Sequence, residues 1–179
     1  MNANNQYHRS ILRSIARRVM LERGLLPDFS SEALAELGRL QTPAGTENAT
    51  AEGVPGIRDL RNLLWSSIDN NDSRDLDQLT VAEAASTDKV KILVAIADVD
   101  SSVRKGSAID EHARHNTTSV YTAAEIFPML PEKISTDLTS LNFSQDRLSI
   151  VVEMAVDPDG SIQGSHIYRA WVRNHAKLA

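Results

Sequence analysis

Between residues 7 and 23, apolar side chains recur at Ile11, Leu12, Ile15, Val19 and Met20, the three-to-four residue step of a helix. Gly24 supplies a stop. Pro27 then precedes a second helical stretch, with Ser30 or Ser31 as its cap and Leu34, Leu37 and Leu40 as its apolar stripe. Residues 42–56 lose all periodicity and fill with Thr, Ala, Gly and Pro, which reads as a linker. The expected organisation is a helical module at 1–45, a linker at 46–55 and a separate body at 56–179.

Within the body the period shortens to two. Residues 63–68 read as a strand ending in an acid-rich loop, residues 76–82 look extended, and residues 90–97 (VKILVAIA) form the strongest strand, apolar enough for the centre of a sheet. Ser107 opens a helix through Arg114, with Asp110 three residues on as an acidic form of the capping box. Residues 118–122 suggest a short strand. Two longer strands, 148–156 and 162–172, flank the turn signal Asp157-Pro-Asp-Gly160 and predict a hairpin. The last seven residues, 173–179, read as the start of a new helix. The fold class is therefore α+β: a mixed, largely antiparallel sheet with helices, preceded by a small helical module.

Composition changes this picture in three places. The chain has no cysteine, which excludes disulfides and thiolate metal sites and suits a reducing, cytoplasmic setting. No apolar run approaches the ~20 residues of a membrane span, so no membrane partner is expected. The net charge of −5 is unevenly placed. Residues 1–24 hold Arg9, Arg13, Arg17, Arg18 and Arg23 against Glu22 alone, a balance of +4 that leaves −9 on the rest. A basic end on an acidic body predicts phosphate attraction at one and cation binding at the other.

The acid lies mostly in one loop. Asp69, Asp72, Asp75 and Asp77 fall within nine residues between two apolar strands. Crowded carboxylates repel, and a divalent cation such as Mg²⁺ relieves the repulsion through oxygen ligands. Asp75 and Asp77 alternate along an extended segment, so both can face one way, toward Asp69. A solvated turn is the other reading, since Asp and Asn are frequent in exposed turns. An EF-hand loop is excluded: Arg74 stands where it needs Gly and Thr80 where it needs Glu. Nucleophilic catalysis has no support, with no cysteine and no G-x-S-x-G turn.

The loop Ile68-Asp69, five residues, Asp75-Leu76-Asp77-Gln78 resembles the signature of the ribonuclease II-type (RNB) family. Further blocks follow in that family's order. Ile96-Ala-Asp-Val99, Gly106-Ser-Ala-Ile-Asp110, Ser119-Val-Tyr121 and Pro128-Met-Leu-Pro131 resemble its IADV, GSxLD, SVY and PMLP segments. Ser135, Asp137-Leu138 and Ser140-Leu141 resemble its LSxxLCSL stretch.

The resemblance implies a 3′→5′ exoribonuclease that hydrolyses single-stranded RNA to nucleoside 5′-monophosphates with Mg²⁺. It assigns Asp69, Asp75 and Asp77 to the metal, with Asp77 closest to catalysis and Asp75 orienting the metal or the terminal ribose. Tyr121 would pack against the RNA 3′ end; as a strand residue it would otherwise be half-buried core. Gln78 stands where the family has a fourth aspartate, so its amide oxygen would ligate with one charge fewer. Ala95 and Asn116 replace a common His and Arg. These departures keep open a catalytically weak or inactive RNA-binding or regulatory relative. The family's catalytic domain is much longer than this stretch, so an incomplete, weakly active fragment is expected. Asp98 is expected to cap the turn after it, and the five histidines to lie at the surface.

Arg9, Arg13 and Arg17 step by four along the first helix and line one side. RNA docking, an ordinary solvated face and a mitochondrial presequence are the three readings; the first 21 residues contain no acid. No obligate protein partner is inferred.

Overall fold

Two helices, α1 (Ala3–Glu22) and α2 (Ser31–Arg39), form where the helical period predicts them. The structure, a computed structural model, describes residues 3–40, 56–86 and 88–179; the expected linker at 46–55 lies outside the described residues. Gly24, at φ 74°, ends the first helix in the left-handed region that favours glycine. Ser30 caps the second, its hydroxyl accepting from the Ala33 amide at 3.1 Å. The apolar stripes are less buried than the pattern suggests. Among the described side chains of α1 only Met20 is buried while Ile11, Leu12, Ile15 and Val19 stay exposed, and on α2 Ala33 is buried in place of Leu34.

The body contributes β1 (Ile57–Asp59), β2 (Ser66–Ile68), β3 (Gln78–Ser86), β4 (Lys89–Ala97), α3 (Ala108–Asn116), β5 (Val120–Tyr121), β6 (Ile126–Phe127), β7 (Asp146–Val156), β8 (Ile162–Arg173) and β9 (Ala176–Leu178). The chain forms two compact units, residues 1–40 with 103–132 and residues 41–102 with 133–179. The N-terminal helices thus share their unit with α3 and the β5–β6 ribbon.

In that first unit, Ser107 caps α3 as expected, and Asp110 returns its carboxylate to the Gly106 amide at 2.7 Å. At the other end of α3, buried Asn116 accepts from the Leu26 amide at 2.8 Å and donates to the Leu26 carbonyl at 2.9 Å. His112 is not a surface residue: it is buried, stacked on Phe29 at 4.1 Å and in contact with Asn116. It lies one helical turn before Asn116, on the same inward stripe.

The second unit is a seven-stranded sheet in the order β1-β8-β7-β4-β3-β2-β9. The four inner pairings are antiparallel, while β1 on β8 and β9 on β2 are parallel. The α+β class and largely antiparallel sheet are as expected, and β4 is the central strand. Around the predicted turn, the Gly160 amide donates to the Asp157 carbonyl at 2.9 Å. One face carries the core of Trp65, Leu79, Leu93, Ala95, Leu141, Val151, Ala170 and Val172. Ala95 fits because it lies fully buried between Leu79 and Val151 on the neighbouring strands. Among the described residues no helix is long and apolar enough to cross a membrane.

The expected helix at 173–179 is instead β9, paired in register with Ser66, Ser67 and Ile68. Buried Asn174 makes the turn into it. Its amide donates to Ser67 Oγ at 3.2 Å and the Leu141 carbonyl at 3.0 Å, while its oxygen accepts from the Ala176 amide at 3.1 Å. Tertiary pairing overrides the helix propensity of Ala, Lys and Leu.

Two outcomes follow for the first unit. Asn116→Ala leaves both Leu26 backbone groups unpaired and should cost about 1–3 kcal/mol, measured by denaturant unfolding. Burial, then the His115 charge, pushes the His112 pKa down from its ordinary value. The unfolded chain then binds more protons, so stability is full above about pH 6.5 and declines as pH falls. Melting curves between pH 7 and 5 should show that decline, and His112→Gln should flatten it.

Candidate active site

The acidic loop leaves the sheet at Ile68 and re-enters it at Gln78, so it bridges two neighbouring strands, β2 and β3. Its backbone is fixed at successive points. The Asp69 amide donates to the Leu178 carbonyl at 3.0 Å, and the Ser73 amide closes a turn on the Asn70 carbonyl at 3.0 Å. The ammonium of Lys177 donates to the carbonyls of Asn71 and Ser73 at 3.0 and 2.7 Å. Further along, buried Ser140 donates its hydroxyl to the Arg74 carbonyl at 3.1 Å and accepts from the Leu76 amide at 3.0 Å. The Leu141 amide reaches the Leu76 carbonyl at 2.7 Å, and the Ala97 amide the Asp77 carbonyl at 2.9 Å.

Leu76 is buried and its neighbours Asp75 and Asp77 are exposed. Alternation about the anchored leucine therefore turns both carboxylates outward together. Asp69 is half-buried at the far end of the loop, Asp72 is exposed on the turn, and Gln78 is exposed as the first residue of β3. The donors are all hard oxygens, the chemistry that Mg²⁺ takes. The expected convergence is not met, however: among the described residues no three His, Asp or Glu side chains gather closely enough to hold a metal ion. The burial of Leu76 and the anchor at Asp69 N fix the two ends of the loop independently, and like charges stand apart in water. What fits is a cation bound through one or two carboxylates, completing its shell with water and phosphate, which is the usual habit of Mg²⁺.

Behind the loop lies a set of buried polar groups with no flag in the acid pattern. Arg147 is buried, and its guanidinium donates to the Ser140 carbonyl at 3.0 Å, the Asp137 carbonyl at 3.1 Å and the Gln145 side chain. Burial pulls its pKa down, with the charges of Asp137 and Asp146 opposing. Asp146 receives Arg61 at 2.9 Å and Arg173 at 2.5 Å. Burial alone would raise the Asp146 pKa, but these two guanidinium partners outweigh it and hold the carboxyl below its ordinary value. The one signal in the sequence is an arginine directly before the apolar strand at 148–156.

Asp98 corrects an expectation. Its side chain makes no cap bond to the 3₁₀ turn Val99–Ser101. It is buried and paired with Arg169, Nε to Oδ2 at 2.9 Å, while Ser101 Oγ donates to the Asp98 carbonyl at 2.6 Å. A buried carboxylate goes to a guanidinium within reach before a neutral amide.

In the first unit Tyr121 sits on the β5–β6 ribbon with 68% of its surface exposed, so it is not core. On α1, Arg9 is exposed, Arg13 pairs with Glu125 at 3.6 Å, and Arg17 pairs with Asp28. Two of the three stripe charges therefore already have acidic partners.

Comparison with known proteins adds a family. Ribonuclease R of Escherichia coli (strain K12) is 40% identical over 132 residues, covering 74% of this chain and 16% of that protein. The structure of Mycoplasma genitalium RNase R in complex with double-stranded RNA superposes with a TM-score of 0.78 at 28% identity, covering 89% of this chain and 27% of that one. Its complex with ribose methylated single-stranded RNA gives the same TM-score and identity, with 24% of that chain covered. The RNB domain matches residues 57–179. By that match, which takes in the acidic loop and every strand of the seven-stranded sheet, this chain belongs to the RNB domain family.

Proposed function

We propose that this chain serves 3′→5′ exoribonucleolytic hydrolysis of single-stranded RNA to nucleoside 5′-monophosphates, with Mg²⁺ at the acidic loop. The observation that carries the reading is the loop itself. A fixed backbone between β2 and β3 presents Asp75 and Asp77 outward in an RNB-family chain. RNA as the ligand is supported by the two Mycoplasma genitalium RNase R complexes.

When bound, Mg²⁺ supplies a water of lowered pKa and offsets charge on an in-line phosphoryl transition state. Asp75 and Asp77 would offer it carboxylate oxygens and Gln78 an uncharged amide oxygen, with water and phosphate completing the shell in place of Asp69 at the other end of the loop. By the family resemblance, Asp77 would act closest to catalysis and Asp75 would orient the metal or the terminal ribose. The exposed ring of Tyr121 offers a stacking face to a base, worth roughly 1–3 kcal/mol. Arg9, Arg13 and Arg17 draw the RNA backbone to α1. The pair at Arg17 is exposed, and such pairs are worth about 0–1 kcal/mol, so phosphate can displace it, while Arg13 meets a half-buried Glu125.

A second reading, a relative that binds RNA without cutting it, rests on Gln78, which removes one negative charge from the donor set.

Incubating the 179-residue chain with a 5′-labelled single strand separates the two. The first reading expects shortening from the 3′ end with Mg²⁺, none with EDTA, and a loss of about 10²–10³-fold in Asp77→Asn. Retention of the strand with no Mg²⁺-dependent shortening even when the chain is in excess over RNA, where weak activity would still show, sinks it in favour of the second. Titrating salt in a binding assay checks the docking stripe: the Arg9, Arg13 and Arg17 to Glu triple variant should bind more weakly with a shallower salt slope. An unchanged slope removes α1 from the RNA path.

A further inference from the structure

We infer that Ser140 is a positioning residue for the acidic loop, setting the presentation of Asp75 and Asp77 through the backbone between them; the inference rests on the metal-site reading above. The buried hydroxyl accepts from one short stretch of chain and donates to it, with Asn142 Oδ1 at 3.2 Å as a second acceptor for the same proton. It donates to the Arg74 carbonyl at 3.1 Å and accepts from the Leu76 amide at 3.0 Å. Those are the peptide groups on either side of Asp75. The next residue, Leu141, holds the Leu76 carbonyl at 2.7 Å, the peptide group leading into Asp77. Three consecutive peptide groups are thus held by two residues from a different part of the chain.

Ser140 is itself held from behind. Arg147 Nε donates to its carbonyl at 3.0 Å, and the same guanidinium ties down the Asp137 carbonyl, while Asn174 Nδ2 donates to the Leu141 carbonyl at 3.0 Å. The oxygen is fixed by the Leu76 amide it accepts from, its proton has acceptors at the Arg74 carbonyl and Asn142 Oδ1, and the groups it holds are the ones whose side chains must keep a working arrangement. Loop side chains have no sheet ladder of their own to orient them. A buried serine is well suited to this work: it is small enough for the core and offers a donor and an acceptor at one atom.

Ser140→Ala removes that one oxygen from an otherwise intact core. Three measurements on the 179-residue chain test the inference. Amide hydrogen exchange at Leu76 should speed up about tenfold, the factor that one lost buried hydrogen bond of ordinary worth gives, while amides of β4 and β7 stay protected. Mn²⁺ affinity, followed by electron paramagnetic resonance, should weaken several-fold. The Mg²⁺ concentration for half-maximal RNA shortening should rise by a similar factor with the KM for RNA unchanged. Ser140→Cys, of similar volume but with a weak donor, should fall between the alanine variant and the parent in all three, and it replaces the alanine variant if that one fails to melt cooperatively. Leu76 exchange and Mn²⁺ affinity equal to the parent's in a folded Ser140 variant overturn the inference. A parent chain that binds Mn²⁺ but leaves RNA uncut even when in excess over it refutes the exonuclease reading instead, and the exchange and metal measurements still decide the role of Ser140.

Discussion

Leu79, Ala95, Val151 and Ala170 lie on four neighbouring strands in one buried layer, and this layer sets the register of the whole sheet. A slip of one residue on any of the four would turn its apolar side chain to the opposite face. With Leu79 fixed opposite Ala95, Gln78 must lie opposite Ile96 and the Asp77 carbonyl must meet the Ala97 amide. The acidic loop thus begins and ends at points dictated by core packing two or three residues away. Chemistry at the loop inherits the precision of the hydrophobic layer.

Between its two ends the loop relies on polar contacts that come from far along the chain. Ser140, Leu141 and Lys177 supply them, and Arg147 and Asn174 stand behind. These groups replace the ladder a strand would have given, so that the backbone of a water-facing loop is still held at Asp69, Ser73, Arg74, Leu76 and Asp77. The buried charge of Arg147 is the costliest member. It spends its donors on carbonyls of the very turn that carries Ser140, which offsets its desolvation and orders that turn.

Much of this was legible in the chain. The unbroken apolar run at 90–97 marks the central strand, Asp157-Pro-Asp-Gly160 marks the hairpin, and Ser30 and Ser107 mark helix starts, because each is a local signal with a local cause. The identity and spacing of Asp69, Asp75, Asp77 and Gln78 were legible for the same reason. Their mutual distance was not, since it is set by Leu76, Ser140 and Leu178 rather than by spacing. The strand at 176–178 was read as helix because its pairing partner lies over a hundred residues earlier. His112 and Asp98 were misplaced for a related reason: a stacking partner at Phe29 and a guanidinium at Arg169 decide their burial. Asn116 looked like a mere departure from the family pattern, yet its short amide is the group that fits both backbone atoms of Leu26.

The two outermost strands of the sheet, Ile57–Asp59 and Ala176–Leu178, are only three residues long. An open sheet invites a foreign strand to add to its rim, and the danger scales with the length of unpaired backbone on offer. These stubs offer little backbone of their own, but they cover only part of the ribbons inside them: Ile57–Asp59 pairs with residues 169–171 of β8, and among the described residues 162–168 have no strand on that side. At the other rim Lys177 puts a charge on the short strand, and its ammonium ties that strand to the Asn71 and Ser73 carbonyls, so the rim closes on the chain's own loop rather than on a foreign strand.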